Sequence, residues 1–443
     1  MTAFLGFAFW LRGLSFSQVS SSKRTLPPTQ LEPAADSLNA AVITFLRRKL
    51  GLAEQFSQRQ LTQIQLALSK GGLGMTSLAT ISPAAWVASL ANCAQFLAGT
   101  ELPTQRLDES AAAAWVMLKG RISEKDEDKL IPAQAASHIE HFAQVSAFGD
   151  RVNDPEGLQR KLTKSMADRA RRQFSLEADD VEKRRIKALT GTNSARWLTV
   201  IPTGPALRLT DDEASLAVKY RLNIKPAARL PSRCGCGADM SNDPYHGVGC
   251  PSFKGHKATH RHDDVKEVFV RWARRAGNPA SSEPRNYSET AKKKLRPDIV
   301  CSLNASTIAG DVQIINPLSL SNQIDDPMDS AANAKIRKYQ NLVKNAPVLP
   351  ADRFVPLIFM TTGAWHPMAS TFAAEIAASS RSFTAWEVEQ NIISEVAIAI
   401  QRGNAWTITS SLAAAHYEVG AAGAAAAGDQ QQPAQDDSSD NDG

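Results

Sequence analysis

The sequence predicts an α+β chain of several domains: a helical N-terminal half, a small cysteine/histidine loop, and a C-terminal α/β domain on a mixed central sheet. Three observations predict it. Apolar residues recur at helical spacing between turn signals from about Leu26 to Leu209. Three of the five cysteines, Cys234, Cys236 and Cys250, fall within seventeen residues. After Cys250, short β-rich runs alternate with helical patterns, as in an α/β unit. At 443 residues, 43% hydrophobic and 21% charged, the chain is long enough for two or three globular cores.

Residues 1–25 read as an apolar remnant. Ala3 to Leu14 is apolar apart from Arg12, yet no basic segment precedes it, which disfavours a secretion signal. No apolar run approaches the roughly 20 residues that cross a bilayer, so no membrane partner is expected. Residues 26–209 form the helical region. Gly71-Gly-Leu-Gly74 is a turn, and Ser82-Pro83 predicts a helix start, with Ser82 as N-cap and Pro83 as N1, before Ala84, Val87, Leu90 and Ala91 at helical spacing. Cys93 falls on that apolar face and is expected to be buried and inert. Lys161 to Lys187 is basic with interspersed acids, the pattern of a solvated helix face, with contact to nucleic acid as the alternative.

Residues 210–260 begin with the capping box Thr210-Asp-Asp-Glu213, which opens a helix over Ala214 to Arg221, and continue into the cysteine cluster. Residues 261–419 hold a basic amphipathic helix, about His262 to Arg275, then a loop with Asn278-Pro279 and Glu283-Pro284. Strands follow at Asp298–Leu303 and Gly310–Asn316 around a turn at Asn304–Thr307. A helix at Asp329–Lys344, a strand at Phe354–Thr361 and a helix at Pro367–Ser379 complete the unit. Trp197, Trp365 and Cys301 read as core. Residues 420–443 are Ala/Gly/Gln/Asp-rich and are expected to be a disordered acidic tail.

The net charge of +5 is unevenly spread: Lys254 to Arg296 holds twelve Lys/Arg against five Asp/Glu. That excess suits a phosphodiester substrate. Lys266, Arg271, Arg274 and Arg275 on the basic helix, with Lys292, Lys293, Lys294 and Arg296, are the expected contacts to a DNA backbone. No Gly-rich phosphate loop, dinucleotide fingerprint or Ser/His/Asp arrangement is present.

Chemistry is carried by Arg296-Pro297-Asp298, twelve further residues, then Asp311-Val312-Gln313. A hairpin over this stretch would bring both carboxylates to one sheet edge, where they suit a hard divalent cation, Mg²⁺ or Mn²⁺. Lys335 and Lys338, three residues apart, share one face of the following helix and can supply an ammonium. Cys234, Cys236, His246 and Cys250 have the ligand types of a tetrahedral Zn²⁺ site. The one-residue gap between the first two is shorter than usual and needs a reversal at Gly235 and Gly237, with His256 and His260 as alternative ligands. The odd cysteine count favours a reducing compartment over a disulfide framework.

The stretch from about Cys234 to Gly363 resembles the C-terminal region of site-specific non-LTR retrotransposon polyproteins of the restriction-like-endonuclease class. The resemblance rests on the Cys/Cys/His/Cys knuckle, Arg261-His262-Asp263, Glu283-Pro284, Pro297-Asp298-Ile299, Asp311-Val312-Gln313 and Lys335 with Lys338-Tyr339, six elements in one order. It implies a PD-(D/E)xK fold that nicks target DNA so that the freed 3′ hydroxyl primes reverse transcription. It further implies Asp298 and Asp311 as metal ligands, and Lys335 or Lys338 in place of the lysine that such nucleases carry where this chain has Gln313. His262 and Asp263 would support them, and Glu283 would be an additional acid. DNA, with element RNA as a further partner, and nuclear residence follow from that substrate. Arg24-Thr-Leu-Pro-Pro28, Gly71-Gly-Leu-Gly-Met75 and Ser194-Ala-Arg-Trp-Leu198 resemble the segment after the polymerase palm. No Tyr-x-Asp-Asp occurs, so this chain alone is not expected to polymerise DNA. A catalytically inactive nucleic-acid-binding remnant of such an element stays open as the alternative.

Overall fold

A computed structural model describes residues 26–101, 103–126, 155–234, 236–241, 243–250, 257–284, 296–319, 326–344 and 351–428. The apolar stretch 1–25, Lys292 to Lys294 and residues 429–443 lie outside the described residues. The N-terminal half is helical, as the periodicity predicts. It comprises α1 (Pro28–Lys49), α2 (Gln58–Gln65), α3 (Leu78–Ala98), α4 (Gln105–Leu118), α5 (Pro155–Leu176), α6 (Asp180–Leu189) and α7 (Asp211–Leu222).

Local rules explain most of the boundaries. The Thr210/Glu213 capping box forms and opens α7, and an equivalent Ser57/Gln60 box opens α2. The start of α3 differs from expectation. Its N-cap is Ser77 rather than Ser82, and Pro83 sits inside the helix. A tertiary contact favours the earlier start: Asn39 of α1 donates to Ser77 Oγ at 2.6 Å and accepts from the Leu78 amide at 3.4 Å. The carbonyl of Ala79, which Pro83 cannot serve, instead accepts from Arg121 at 3.4 Å. Cys93 is exposed rather than buried, because the stripe that packs on α4 and α5 runs through Val87, Leu90 and Ala94, one position away.

The C-terminal half contains α8 (Lys257–Arg275), β1 (Ala280–Ser282), β2 (Ile299–Leu303), β3 (Ser306–Ile315), α9 (Pro327–Lys344), β4 (Arg353–Met360), α10 (Pro367–Ala378) and α11 (Ala385–Gly428). The strands lie in spatial order β1-β2-β3-β4. The first two pairings are antiparallel and β3–β4 is parallel, so the sheet is mixed. Asn304 and Ala305 both have positive φ, 49° and 66°, the signature of a two-residue hairpin turn between β2 and β3.

Both faces of the sheet are covered, with strand residues alternating between them. Ile299, Cys301, Ile308, Val312, Val355, Leu357 and Phe359 pack with Phe269, Trp365, Phe372 and Val396, from α8, the β4–α10 connection, α10 and α11. Val300 and Ala309 face Tyr339 of α9, while Ile315, Ile358 and Met360 face Ala332 of α9 and Ala188 of α6. Trp197 and Cys301 are buried as expected. Ala397 and Ile398 of α11 enter the same cluster as Leu46, Leu50 and Ile64, so the helical half and the sheet half share packing through α11. That helix runs to Gly428, into the stretch expected to be disordered from residue 420. Its alanines have the highest helix propensity of any residue and extend a helix already seeded by packing.

Candidate active site and metal centre

The hairpin register places the two acids. The β2–β3 register ends at Ile299 paired with Gly310, and Asp298, the residue just before β2, lies near Asp311 at the open end of the hairpin, close enough for its charge to act on that carboxyl. Asp298 is half-buried; its Oδ2 accepts from the Val312 amide at 2.7 Å and is bonded to His262 Nε2 at 2.9 Å. Asp311 is only 4% exposed, on the α9 side of the sheet, and forms an ion pair with Lys335. Burial, and then the nearby Asp298 charge, raise the Asp311 pKa above the usual carboxylate range against the pull of Lys335. The donor set is all oxygen, and the two carboxylates repel each other, so these residues fit a hard divalent cation.

A chain of polar contacts extends behind the pair. His262 Nδ1 lies 3.2 Å from Asp263 Oδ1, Asp263 accepts from Lys266 at 3.0 Å, and Lys266 also donates to Glu283 at 2.5 Å. Glu283 in turn lies 3.5 Å from the Arg296 guanidinium. Burial disfavours the His262 imidazolium, but Asp298 and Asp263 outweigh it and the pKa is raised. Thus Asp298, Asp311, Lys335, His262, Asp263 and Glu283 gather in one network. Lys338 does not pair with either acid among the described residues; its Nζ sits 4.7 Å from the Tyr339 ring centre and 3.4 Å from the hydroxyl.

Two of the expected DNA contacts are engaged within the protein. Lys266 is 6% exposed and engaged by Glu283 and Asp263, so it belongs to the network rather than the surface. Arg271 is paired with Glu395 of α11, which also accepts from Trp272 Nε1 at 3.1 Å. Glu283 and Glu395 are distant in sequence, which is why the amphipathic pattern alone assigned these bases to the DNA backbone. Arg274, Arg275 and Arg296 are exposed.

In the cysteine loop, the ligand atoms of Cys234, Cys236, His246 and Cys250 all lie within 4.8 Å of one another. The short gap between the first two cysteines is accommodated by a tight reversal. Gly237 adopts φ 86° and donates to the Cys234 carbonyl at 2.7 Å, and the Cys234 amide donates to the Ala238 carbonyl at 2.9 Å. The two buried thiols, Cys234 and Cys250, are 3.7 Å apart, and Cys236 Sγ is 3.0 Å from His246 Nε2. The other ring nitrogen faces Asp243 at 3.6 Å, an orientation that leaves Nε2 toward the thiols. Burial opposes ionisation of Cys236, but the Ala238 amide and His246 lower its pKa to about 7, whereas burial pushes Cys234 to about 12. Three sulfurs and one imidazole at this spacing fit Zn²⁺. His256 lies outside the described residues; His260 packs edge-on against Trp406, away from this role, with ring centres 4.7 Å apart.

Sequence reasoning missed how the two centres connect. Arg261, 4% exposed, donates to Asn404 Oδ1 at 2.6 Å and to the Val248 carbonyl, between His246 and Cys250, at 3.4 Å. Asn404 donates to the Thr361 carbonyl at the end of β4 at 2.6 Å. The only available signal was Arg261 beside His262 in the motif. No protein-family model matches the chain, and a search of curated proteins finds no match.

Proposed function

We propose that this chain is a metal-dependent DNA endonuclease of the PD-(D/E)xK type, from a retrotransposon-derived protein that nicks target DNA to prime reverse transcription. The observation that carries the reading is the neighbouring Asp298 and Asp311 carboxylates, with Lys335 on one acid and His262 on the other. Mg²⁺ or Mn²⁺ held by the two carboxylates would supply a nucleophilic water at neutral pH and neutralise charge at phosphorus.

The protein's own groups do the rest. Val312 N–H and His262 fix the orientation of the Asp298 carboxylate, so that it is preorganised for a cation. Lys335 carries a positive charge to the position where a phosphate oxygen or the attacking water would lie. Hydrolysis breaks the P–O3′ bond, leaving a 3′ hydroxyl and a 5′ phosphate, and the proton lost by water passes to solvent. Arg274, Arg275 and Arg296 would contact the backbone without reading sequence. The Cys/His loop, loaded with Zn²⁺, is a nucleic-acid-binding knuckle in this reading, and the protein acts in the nucleus on DNA with element RNA as a further partner.

A nicking assay on supercoiled plasmid tests the proposal. Nicking is expected with Mg²⁺, is lost with chelator, and is lost in Asp298→Ala and Asp311→Ala while duplex binding persists. Gln313, standing where related nucleases carry lysine, does not separate this reading from the rival one of a binding-only remnant, because Lys335 is donated from the helix. Wild-type binding with no cleavage under Mg²⁺ or Mn²⁺ would establish that rival.

A further inference from the structure

A second concave site lies at the C-terminal ends of β3 and β4, lined by none of the residues of either centre. It is a cavity of about 560 Å³ between α6, the segment after β3 and the first turn of α9. One wall is basic: Lys183, Arg184 and Lys187 occupy adjoining positions on α6. The opposite wall is apolar, with Met328, Met360 and Ala364. Two acids also line it. Asp180 lies 3.3 Å from Lys183, and Asp326 is occupied in capping the Asp329 amide at 3.1 Å.

Arg184 makes no ion pair or hydrogen bond with any described residue, and its Nε is shut off from solvent without a partner. A cation left in this state on the wall of a cavity is suited to an anion that enters from outside. The N-terminal end of the 18-residue α9 opens on the same space and adds a positive end.

The wall is held rigidly against the sheet. Thr362 donates to the Ala188 carbonyl at 3.1 Å and the Trp365 amide to the Thr192 carbonyl at 3.0 Å. Gly191 is so close to Ala364 that a Cβ there would come within 2.7 Å of the alanine methyl. The cavity is therefore at a fixed distance from the acids. Met328 and Lys335 are seven residues apart on one face of α9, or roughly 10 Å at the helical rise. At 3.4 Å of rise per nucleotide that separation is about three nucleotides.

We propose that this cavity is a second seat for the DNA substrate, taking the phosphate backbone about three nucleotides from the scissile bond. Lys183, Arg184 and Lys187 hold the phosphates, and an exposed base edge lies on the Met328/Met360 floor. The inference rests on the DNA-cutting reading above and adds that the helical half contributes directly to substrate binding.

The test is binding of a fluorescein-labelled DNA duplex by the full chain without added Mg²⁺ or Mn²⁺, followed by fluorescence anisotropy across a salt series. Lys183→Gln/Arg184→Gln removes two phosphate contacts. Its affinity should then fall about tenfold less than that of wild type between 50 and 200 mM salt. Asp180→Asn frees Lys183 and should strengthen binding, a direction that no folding defect produces. An unchanged salt dependence in the double variant, or weaker binding by Asp180→Asn, overturns the proposal. If wild type binds and nicks DNA but the double variant keeps its slope, only this site fails; if wild type shows no salt-dependent binding, the nuclease reading fails with it.

Discussion

Replacing Asp311 with asparagine should stabilise the metal-free protein. The Asp311 carboxylate is buried and faces Asp298, and these two effects raise its pKa despite the Lys335 ion pair. A raised folded-state pKa means that the fold binds the proton more tightly than the unfolded chain does. Stability is therefore greatest below the ordinary carboxylate value of 3.8 and falls as pH rises through the raised folded-state value. At neutral pH the ionised group opposes folding, and an uncharged isostere removes that cost. Lys335 loses its partner, but its side chain is 20% exposed and can rehydrate. Relief of an unfavourable site charge is worth about 1 kcal/mol, a rise in melting temperature of roughly 2–4 °C for a domain of this size. Divalent metal should reverse the order. A cation at a hundred times its Kd stabilises the wild type by about 2.7 kcal/mol and the variant by far less. Thermal melts of both proteins in EDTA and in excess Mg²⁺ read this crossover directly. If Asp311→Asn melts below wild type in EDTA, the charge repulsion argued for the pair is absent. If Mg²⁺ shifts both proteins equally, Asp311 is not a metal ligand.

Lys335→Met should abolish plasmid nicking with little change in duplex affinity, whereas Lys338→Met should retain most activity because Lys338 sits over Tyr339 rather than beside the acids. Cleavage rates of the two variants on one plasmid preparation separate these roles. Purified protein should contain one Zn²⁺ per chain, and Cys250→Ser should lower both the metal content by elemental analysis and the melting temperature. Ala305→Gly should stabilise the protein by about 1 kcal/mol, because Ala305 holds φ 66° in the hairpin turn, and chemical denaturation would measure the gain.

How much of this was legible in the sequence depended on whether the determinant was local. The β2–β3 hairpin was legible because its turn residues sit between two β-rich runs, and once the turn is placed the register brings the start of β2, beside Asp298, to the Gly310-Asp311 stretch of β3. The pairing of a helix-borne lysine with an acid was legible from spacing, although which lysine was not. The helix start at Ser77 was not, because Ser82-Pro83 carries the stronger local signal and only a side chain from α1, Asn39, settles the choice. The exposure of Cys93 turned on one helical position. The helix through Gly428 was read as disorder because composition reports what a segment cannot bury, while the seed that extends it lies upstream in the buried half of α11.

The basic helix is where local reading failed most informatively. Charge counting on α8 treats every base as available to DNA, yet the helix distributes its cations inward along its length. Arg261 ties the Cys/His loop to α11 through Val248 and Asn404. His262, the next residue, bonds to Asp298, and Lys266, one turn further on, bridges Asp263 and Glu283. Gly403 of α11 permits this, since a Cβ there would lie 2.5 Å from the Arg261 side chain. Gly247 does the same for the loop, where a Cβ would meet Ser411 Oγ at 2.2 Å. Consecutive residues of one helix thus contact the Cys/His loop at Val248 and the acid Asp298. Arg261, His262 and Lys266 of α8 are accordingly framework residues that tie the Cys/His loop, α11 and the acids to one helix, while Arg274 and Arg275 at its end and Arg296 stay exposed.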